Sequence, residues 1–278
     1  MKTIVSGMRP TGSLHIGHYF GALKNWIDLQ HHNQCYFTVV DWHALTSEFE
    51  DTRNIPAHTR EMVADWLASG LDPNLCTIFL QSGVDAQSVL YLILGMFTPI
   101  GWLERNPTYK EQKEQIQHRD LSNLGFFAYP VLQTADILLY KGEKVPVGVD
   151  QVPHIELSRE IARRFNRIAG EIFPEPEALL TPSPKISGTD GRKMSKSYGN
   201  AISLGEPSQE LEKKVKAMVT DPNRIRRSDP GDPKQCNLFP LHELLSSKET
   251  QEEVIQGCTT AGIGCVDCKK MLLPSLEA

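Results

Sequence analysis

The chain has 278 residues, more than a single small hydrophobic core usually serves, so we expect one large domain and a smaller one. Hydrophobic residues make up 40% and charged residues 23% of the sequence, which is typical of a globular protein and excludes a disordered or fibrous one. The formal net charge of −5 at pH 7 argues against a surface that binds nucleic acid throughout. The sequence contains neither an apolar run long enough for a membrane helix nor a signal peptide at its start, so we predict a cytoplasmic protein with no membrane contact.

Runs typical of strands alternate with helical patterns through the first two thirds of the chain. The predicted strands cover residues 3–6, 36–41, 77–81 and 145–148. The predicted helices cover residues 14–29, 55–70, 86–97, 129–140 and 154–165. Strands that alternate with crossover helices are typical of a parallel sheet. The pattern therefore predicts an α/β fold, with a Rossmann-like parallel sheet and a small C-terminal helical domain.

Residues 173–191 are rich in Pro, Ser, Gly and Thr, which break regular structure, so we expect the boundary between the two domains there. The predicted division is a catalytic domain at residues 1–180, a linker at 181–200 and a helical domain at 201–278. The last residues, 271–278, resemble the first turns of another helix without a stop signal, and we expect the chain to be truncated at its C-terminus.

The first motif is Gly-Met-Arg-Pro-Thr-Gly-Ser-Leu-His-Ile-Gly-His at residues 7–18, where a loop leaves the first strand and enters a helix. Such a junction presents free backbone N–H groups and the positive end of a helix to an anion. His15 and His18 are three residues apart and share one helix face, and Gly17 lets a nucleotide approach the backbone closely. The pattern favours a nucleotide site, although a pair of surface histidines or half of a metal site would look the same.

The second motif is Gly-Arg-Lys-Met-Ser-Lys-Ser-Tyr-Gly-Asn at residues 191–200. Lys193 and Lys196 stand among small residues and could neutralise the charge of a triphosphate as pyrophosphate leaves. Basic residues outnumber acidic ones between residues 185 and 227, which is typical of a polyanion site but also of a solvated helix face. A Lys/Ser loop alone is usually only solvated. His-Ile-Gly-His followed by Lys-Met-Ser-Lys-Ser, however, resembles the paired signatures of the class I aminoacyl-tRNA synthetases.

A third pattern lies on the predicted helix at residues 129–140. Tyr129, Gln133 and Asp136 follow the spacing i, i+4 and i+7, so three polar groups share one face of an apolar helix. A buried carboxylate is costly without a donor, and both an indole N–H and a phenol O–H can donate to it. The alternative is a core helix whose aspartate is already satisfied by the protein.

Residues 7–18, 40–46, 103–105 and 145–157 are similar to bacterial tryptophanyl-tRNA synthetases, and the resemblance covers nearly the whole chain. It implies that Asp136 accepts the indole N–H, that Tyr129 and Gln151 hold the amino group of tryptophan, and that further pocket residues surround the ring. Those further residues are Val40, His43 and Gln133.

The same resemblance implies that ATP and its Mg²⁺ are bound by two loops and the two signatures. The ATP-binding residues would be Arg9, Pro10, Thr11, Gly17, His18, Gly148, Val149, Asp150, Lys193, Met194, Ser195, Lys196 and Ser197. The catalytic residues would be His15, His18, Lys193 and Lys196. Either Lys110 or Lys113 would add a phosphate contact.

The implied function is the ATP-dependent activation of L-tryptophan and its transfer to tRNA(Trp), by a homodimer whose helical domain binds the tRNA. The alternatives are a tyrosyl-tRNA synthetase, a small-molecule adenylyltransferase, and a catalytically silent relative that binds RNA.

Six cysteines divide into two sets. Cys35 and Cys76 lie in apolar runs and are expected to be buried strand residues. The other four follow the spacing Cys-x21-Cys-x6-Cys-x2-Cys, which favours a metal over disulfides in a cytosolic chain; they are Cys236, Cys258, Cys265 and Cys268. Zinc ribbons usually pair two Cys-x-x-Cys units, whereas iron–sulfur clusters accept looser spacings. Some tryptophanyl enzymes that this chain resembles carry a four-iron cluster, so we predict a 4Fe-4S cluster, with zinc second and no metal third.

Overall fold

The computed structural model describes residues 1–107, 123–180 and 186–277, and of Ser197 it describes the backbone alone. The chain forms two compact units. The first combines Met1–Ser13 with Tyr19–Ser183, and the second combines Leu14–His18 with Pro184–Ala278. The short segment with the two signature histidines thus belongs to the second unit.

The first unit is built on a parallel sheet of five strands. They are β1 (Thr3–Met8), β2 (Gln34–Val39), β3 (Cys76–Leu80), β4 (Lys144–Val147) and β5 (Glu177–Leu180). Their order in the sheet is β3-β2-β1-β4-β5, and every neighbouring pair is parallel. The chain reverses its direction of winding at β1, which is the arrangement of a doubly wound Rossmann-like sheet. The predicted fold class is confirmed.

Strand β5 corrects one expectation. It lies within residues 173–191, which were predicted to lack regular structure, yet it pairs with β4 from Glu177 opposite Lys144 to Leu180 opposite Val147. Pro174 precedes the strand rather than interrupting it, and β5 is at the edge of the sheet, where missing backbone donors are tolerated. The prediction was wrong because a four-residue edge strand gives little periodic signal.

Helices follow most strands. In chain order they are α1 (Ile16–His18), α2 (Lys24–Gln30), α3 (Asp41–Glu48), α4 (Ile55–Ala68), α5 (Asp85–Phe97), α6 (Ile100–Glu104), α7 (Leu124–Leu139), α8 (Val152–Ala169), α9 (Ser208–Ala217), α10 (Phe239–Leu245), α11 (Lys248–Thr259) and α12 (Cys265–Glu277). A π-helical turn at Tyr19–Leu23 precedes α2. Helices α2 to α8 belong to the first unit, and α1 with α9 to α12 belongs to the second.

Two apolar groups stabilise the first unit. In one, helices α5, α7 and α8 bury Leu94, Leu138 and Ile155 completely. In the other, Trp26 stacks on Phe37 of β2 with ring centroids 4.6 Å apart and meets Trp66 edge-on at 5.3 Å. Burial of such large side chains supplies most of the free energy that holds the helices on the sheet.

The second unit is mainly helical. Leu241 of α10 and Leu272 of α12 are buried in it, and Lys269 of α12 donates from Nζ to the carbonyl of Lys216 at the end of α9 over 2.7 Å. The histidine segment pairs with an extended stretch of the same unit, because Ile16 donates to the carbonyl of Ile202 and Leu204 donates to that of Leu14. Across both units, none of the helices that the structure describes is long and apolar enough to span a bilayer.

Candidate active site

The carboxyl edge of the sheet gathers predicted site residues of the first unit. Arg9, Pro10 and Thr11 follow β1, while Gly148, Val149 and Asp150 follow β4, the neighbour of β1. Val40 and His43 follow β2. In an open parallel sheet, ligands bind at this edge where the winding direction reverses. The strand order therefore brings two of the predicted ATP loops and part of the tryptophan pocket to the place where this fold binds substrates.

Asp136 is the most heavily bonded side chain of that region. It lies on α7, is 5% exposed, and accepts three hydrogen bonds. Gln81 and Gln87 each donate from Nε2 to its Oδ1, over 2.8 Å and 3.0 Å, and Nε2 of His43 lies 3.0 Å from its Oδ2. An ionised carboxylate offers about four acceptor positions, so these protein donors leave room for about one more.

The donors to Asp136 come from three separate elements. His43 lies on α3, Gln87 on α5, and Gln81 in a short 3-10 turn after β3. Gln81 also accepts a hydrogen bond from the backbone N–H of Trp42 at its Oε1, over 3.0 Å. The carboxylate is thus held in one orientation by groups that the tertiary fold brings together.

A second chain of hydrogen bonds starts at Tyr129, which lies about two turns before Asp136 on the same helix. The Tyr129 hydroxyl lies 2.9 Å from Nε2 of His154, and Nδ1 of His154 lies 3.0 Å from Oε1 of Gln151. An amide oxygen only accepts, so the histidine proton is assigned to Nδ1, and Nε2 accepts the proton of Tyr129. Gln151 in turn donates from Nε2 to Asp150 over 2.9 Å.

Burial lowers the pKa of His154 to about 4, with a further lowering by His43 and an opposing effect of Asp150. The imidazole is therefore neutral at pH 7, as the hydrogen-bond directions require. Because Tyr129 gives its proton to His154, its oxygen can accept from a positively charged amino group. Gln133 is half-buried on the same helix, between Tyr129 and Asp136.

In the second unit, His15 and His18 form one stacked pair. Their ring centroids are 3.7 Å apart with an angle of 32° between the planes. The backbone N–H of His15 donates to Nδ1 of His18 over 3.2 Å, which assigns the proton of His18 to Nε2. Gly17 is required between them, because a Cβ there would lie 2.7 Å from the ring of His15.

The positive charge of Lys196 acts on both histidines. Burial first, and then Lys196, lowers the pKa of His15 to about 4. Burial, His15 and Lys196, in that order, lower the pKa of His18 to about 3. At pH 7 both rings are neutral, so they can donate hydrogen bonds to a phosphate but carry no charge. The second unit thus brings together the two predicted signatures.

The loop of the second signature has a fixed backbone and exposed cations. Met194 is buried, while Lys193 and Lys196 are exposed. Asn200 is buried behind the loop and accepts from the backbone N–H of Ser195 at 2.8 Å. It also donates to Asp190 at 2.7 Å and to the carbonyl of Lys193 at 3.2 Å. Asn200 ends the sequence motif, but the motif alone does not predict this supporting role.

The four late cysteines lie near one another in the second unit. Burial and, to a smaller extent, the nearby Cys236, Cys258 and Cys265 together raise the pKa of Cys268 to about 12, against an opposing effect of Arg224. Arg224 reaches this group, with Nη1 4.0 Å from Sγ of Cys265. Within the described ranges, no three or more His, Cys, Asp or Glu side chains are arranged to hold a metal ion. The thiols are therefore close but not in ligand geometry.

Some predicted positions lie outside the described residues. They are Lys110 and Lys113, the side chain of Ser197, and residues 181–185 of the predicted boundary. Cys35 and Cys76 are buried as expected and stand opposite each other on β2 and β3.

Comparison with known families agrees with this geometry. The whole chain, residues 1–278, matches the family described as tRNA synthetases class I (W and Y). The chain therefore belongs to the class I tRNA synthetases of the tryptophan and tyrosine group. Within that group, it is 55% identical to the tryptophan–tRNA ligase of Thermotoga maritima, over 99% of this chain and 84% of that protein. The ligase of the same name from Aquifex aeolicus is 45% identical over 99% of this chain and 87% of that protein.

Solved structures give the same grouping. The tryptophanyl-tRNA synthetase of Campylobacter jejuni, in complex with ADP and tryptophan, superposes with a TM-score of 0.90 at 37% identity, covering 100% of this chain and 85% of that one. A tyrosyl-tRNA synthetase of Archaeoglobus fulgidus superposes with a TM-score of 0.71 at 20% identity, over 99% of this chain and 86% of that one. The second likeness shows the fold alone.

Proposed function

We propose that this chain is a tryptophan–tRNA ligase, which activates L-tryptophan with ATP and transfers the tryptophanyl group to tRNA(Trp). The observation that carries the proposal is the buried carboxylate of Asp136, which has protein donors on both oxygens and about one acceptor position left. An indole N–H only donates, so it suits that position. The names of the most similar relatives favour tryptophan over tyrosine in the same way.

The amino acid is proposed to bind in the first unit. Asp136 accepts the indole N–H, Tyr129 and Gln151 hold the amino group, and the ring is lined by Val40, His43 and Gln133. His154 supports this assignment, because it takes the proton of Tyr129 and so leaves the hydroxyl oxygen as an acceptor. The proposed contacts use groups that the fold already fixes, so little entropy is lost on binding.

ATP is proposed to contact groups in each unit. Those of the first unit are Arg9, Pro10, Thr11, Gly148, Val149 and Asp150; those of the second are Gly17, His18, Lys193, Met194, Ser195, Lys196 and Ser197. His15 supports a phosphate site, since its buried Nδ1 has no hydrogen-bond partner in the part of the chain that the structure describes. A buried ring nitrogen without a partner is costly unless a ligand supplies one.

The proposed reaction requires no covalent intermediate on the protein. A carboxylate oxygen of tryptophan attacks the α-phosphorus of ATP, the bond to the β-phosphate breaks, and pyrophosphate leaves with the electron pair. Mg²⁺ bound with ATP would neutralise part of the phosphate charge, and Lys193 and Lys196 stabilise the charge that moves to pyrophosphate. His15 and His18 donate hydrogen bonds as neutral rings. A ribose hydroxyl at the end of the tRNA then attacks the acyl carbon, and AMP leaves.

The exchange of labelled pyrophosphate into ATP, measured with each amino acid in turn, tests the proposal. We expect exchange with tryptophan and at most a trace with tyrosine. Preference for tyrosine would identify a tyrosyl enzyme, exchange driven by a different small acid would identify an adenylyltransferase, and no exchange with any substrate would leave an RNA-binding relative. Location in the cytoplasm remains a prediction.

We further propose that the protein is a homodimer and that residues 201–278 bind the tRNA. Helix α5 supports the dimer, because it exposes an apolar face with the spacing i, i+3, i+4 and i+7, formed by Val89, Leu92, Ile93 and Met96. Light scattering on the wild type and on Leu92→Lys measures the mass directly. A dimeric wild type and a monomeric variant would support the proposal, and a monomeric wild type would refute it.

For the four late cysteines we propose a 4Fe-4S cluster, with zinc as the second choice. The four thiols lie within electrostatic reach of one another, and Arg224 can offset the negative charge of a thiolate-bound cluster. Gly231 fits the same site, because a Cβ there would lie 2.7 Å from Sγ of Cys258. Cys236, Cys258, Cys265 and Cys268 would hold the cluster, which would act as a structural crosslink in the unit proposed to bind tRNA.

A further inference from the structure

We infer that Gln81 and Gln87 are positioning residues for the amino-acid side chain: together they occupy Oδ1 of Asp136 and so present Oδ2, beside His43, as the acceptor for a ligand N–H. This inference rests on the function proposed above. Neither glutamine belongs to a motif that the sequence analysis singled out.

The hydrogen-bond donors around Asp136 are unevenly distributed over its two carboxylate oxygens. Both amide groups donate to the same oxygen, Oδ1, over 2.8 Å and 3.0 Å, while Oδ2 has a single protein partner, His43 at 3.0 Å. A carboxylate oxygen has two lone-pair positions. Oδ1 is therefore saturated, and the acceptor position that remains is on Oδ2.

Burial of the Gln87 side chain costs free energy. Its side chain is completely buried, it donates to Asp136, and its own Oε1 has no hydrogen-bond partner within residues 1–107, 123–180 and 186–277. A buried amide with an unpaired oxygen is a poor way to stabilise a fold, since an apolar side chain of that size would avoid the desolvation. Among the described residues, the side chain of Gln87 makes one hydrogen bond, to the carboxylate of Asp136. Gln87 therefore contributes to function by fixing the hydrogen bonding of Asp136.

Gln81 and Gln87 differ in the hydrogen bonds that their side chains make besides the one to Asp136. Gln81 also accepts from the backbone N–H of Trp42, so it has a structural task as well. Gln87 has no such second contact among the described residues. A substitution at Gln87 therefore removes one hydrogen bond to Asp136 and little else, which makes it the cleaner probe.

The test compares tryptophan with L-3-benzothienylalanine, an analogue in which sulfur replaces the indole N–H, in pyrophosphate exchange at saturating ATP. The variant is Gln87→Met, which keeps the volume and removes the donor. We expect the KM for tryptophan to rise about tenfold, with kcat almost unchanged. The KM for the analogue should stay the same, because the analogue has no N–H to donate. The preference for tryptophan should therefore fall about tenfold.

Gln30→Met is the matched control. Gln30 is another buried glutamine of the first unit, bonded to the carbonyl of Gly70 and the N–H of Asp72 instead of to Asp136. This variant should lower stability without changing the preference. An equal loss for both substrates in Gln87→Met, as for a general packing defect, would overturn the inference.

A second variant keeps the test decisive if Gln87→Met folds poorly. Gln87→Leu also removes the donor but has a branched apolar side chain, and it should lower the preference for tryptophan about as much. An unchanged preference in Gln87→Leu would also overturn the inference. The two proposals fail separately: absence of tryptophan exchange in the wild type refutes the function, whereas exchange in the wild type with an unchanged preference in both variants refutes only the positioning role.

Discussion

The polar groups proposed for function differ in burial between the two units. In the first unit, Asp136 is buried and its carboxylate accepts three hydrogen bonds from groups on three elements. In the second unit, Lys193 and Lys196 are exposed on a loop whose backbone is tied to the buried Asn200. Buried and fixed acceptors suit the recognition of an uncharged group that is present throughout, such as an indole. Exposed cations suit charge that develops only during the reaction, because they lose no hydration before they are needed.

The largest effect should come from the exposed cations. Lys196→Ala is expected to lower kcat of pyrophosphate exchange about 10²- to 10³-fold, the usual range for loss of one group that stabilises transition-state charge. The KM for tryptophan should change little, since Lys196 is not among the residues proposed to bind the amino acid. Lys213→Ala serves as the control, because Lys213 is an exposed lysine of α9 paired with Glu210. Unchanged exchange at saturating ATP would show that the loop lysine has no catalytic role.

The buried acceptor should give a smaller effect of the opposite kind. Asp136→Ala removes a hydrogen bond to a charged group, worth about 1.5–3 kcal/mol, and should weaken tryptophan binding about ten- to a hundredfold. The affinity for ATP should be nearly unchanged. Calorimetric titration with each ligand separately gives both values. A loss of similar size for ATP would indicate that Asp136 supports the fold instead of the pocket.

The third prediction separates the proposed cluster from activation. Cys265→Ser should abolish metal binding and lower tRNA charging several-fold, while exchange with tryptophan stays within about twofold, because the residues proposed for activation all precede residue 198. Iron, sulfide and zinc are measured on anaerobically purified protein, with Cys76→Ala as the control for a buried thiol outside the group. Zinc at about one per chain would select the second choice, and metal-free wild type would reject both. Loss of exchange together with tRNA charging would contradict the proposal that the cysteine cluster serves tRNA binding and not activation.

The smallest effect concerns the neutral histidines, which occur in both units. The pKa values of His154, His15 and His18 lie at about 4, 4 and 3 in the folded protein, below the ordinary value of 6.5. As the pH falls from 6.5 towards these folded-state pKa values, the histidines bind protons in the unfolded chain but not in the folded protein. The free energy of unfolding therefore falls as the pH falls. Above pH 6.5 these groups contribute no slope.

Thermal unfolding from pH 7.5 to pH 4.5 measures this dependence. His18→Asn should remove the uptake of up to one proton, worth about 2 kcal/mol at pH 5, and so shift the midpoint there by about 4 °C relative to its offset at pH 7.5. His154→Gln should act alike in the first unit. Curves that stay parallel to the wild type would mean that the imidazoles are charged in the folded protein.

Much of the fold could be predicted from the sequence because it depends on patterns along single elements. The alternation of strand-like and helical runs gave β1 to β4 to within about two residues, and the helix with Tyr129 and Asp136 was recognised from its polar spacing. Strand β5 was missed, because four residues next to prolines are too few to show the alternation of apolar and polar residues that is typical of a strand.

The partners of the site residues could not be predicted in the same way. Gln81 and Gln87 are 55 and 49 residues from Asp136 in the chain, and His154 is 25 from Tyr129. Each meets its partner only because helices and strands pack together, and a single sequence does not record which faces meet. The signatures were found because they are contiguous. Asn200 could have been suspected because it directly follows Gly199, and glycine is the residue type that most readily adopts a positive φ at the end of a loop. In the structure, the φ of Gly199 is +65°.

The pairing of His15 with Ser203 has a consequence for synthesis. A growing chain contains all five strands of the sheet once residue 180 has been made. The histidine segment, however, cannot form its backbone pairing until residue 203 has left the ribosome. At about 5–20 residues per second, that delay is on the order of ten seconds or more after the segment itself is made. An interrupted chain that ends before Ser203 would contain the pocket around Asp136 but not the residue that pairs with His15. Such fragments could hold the amino acid without being able to activate it.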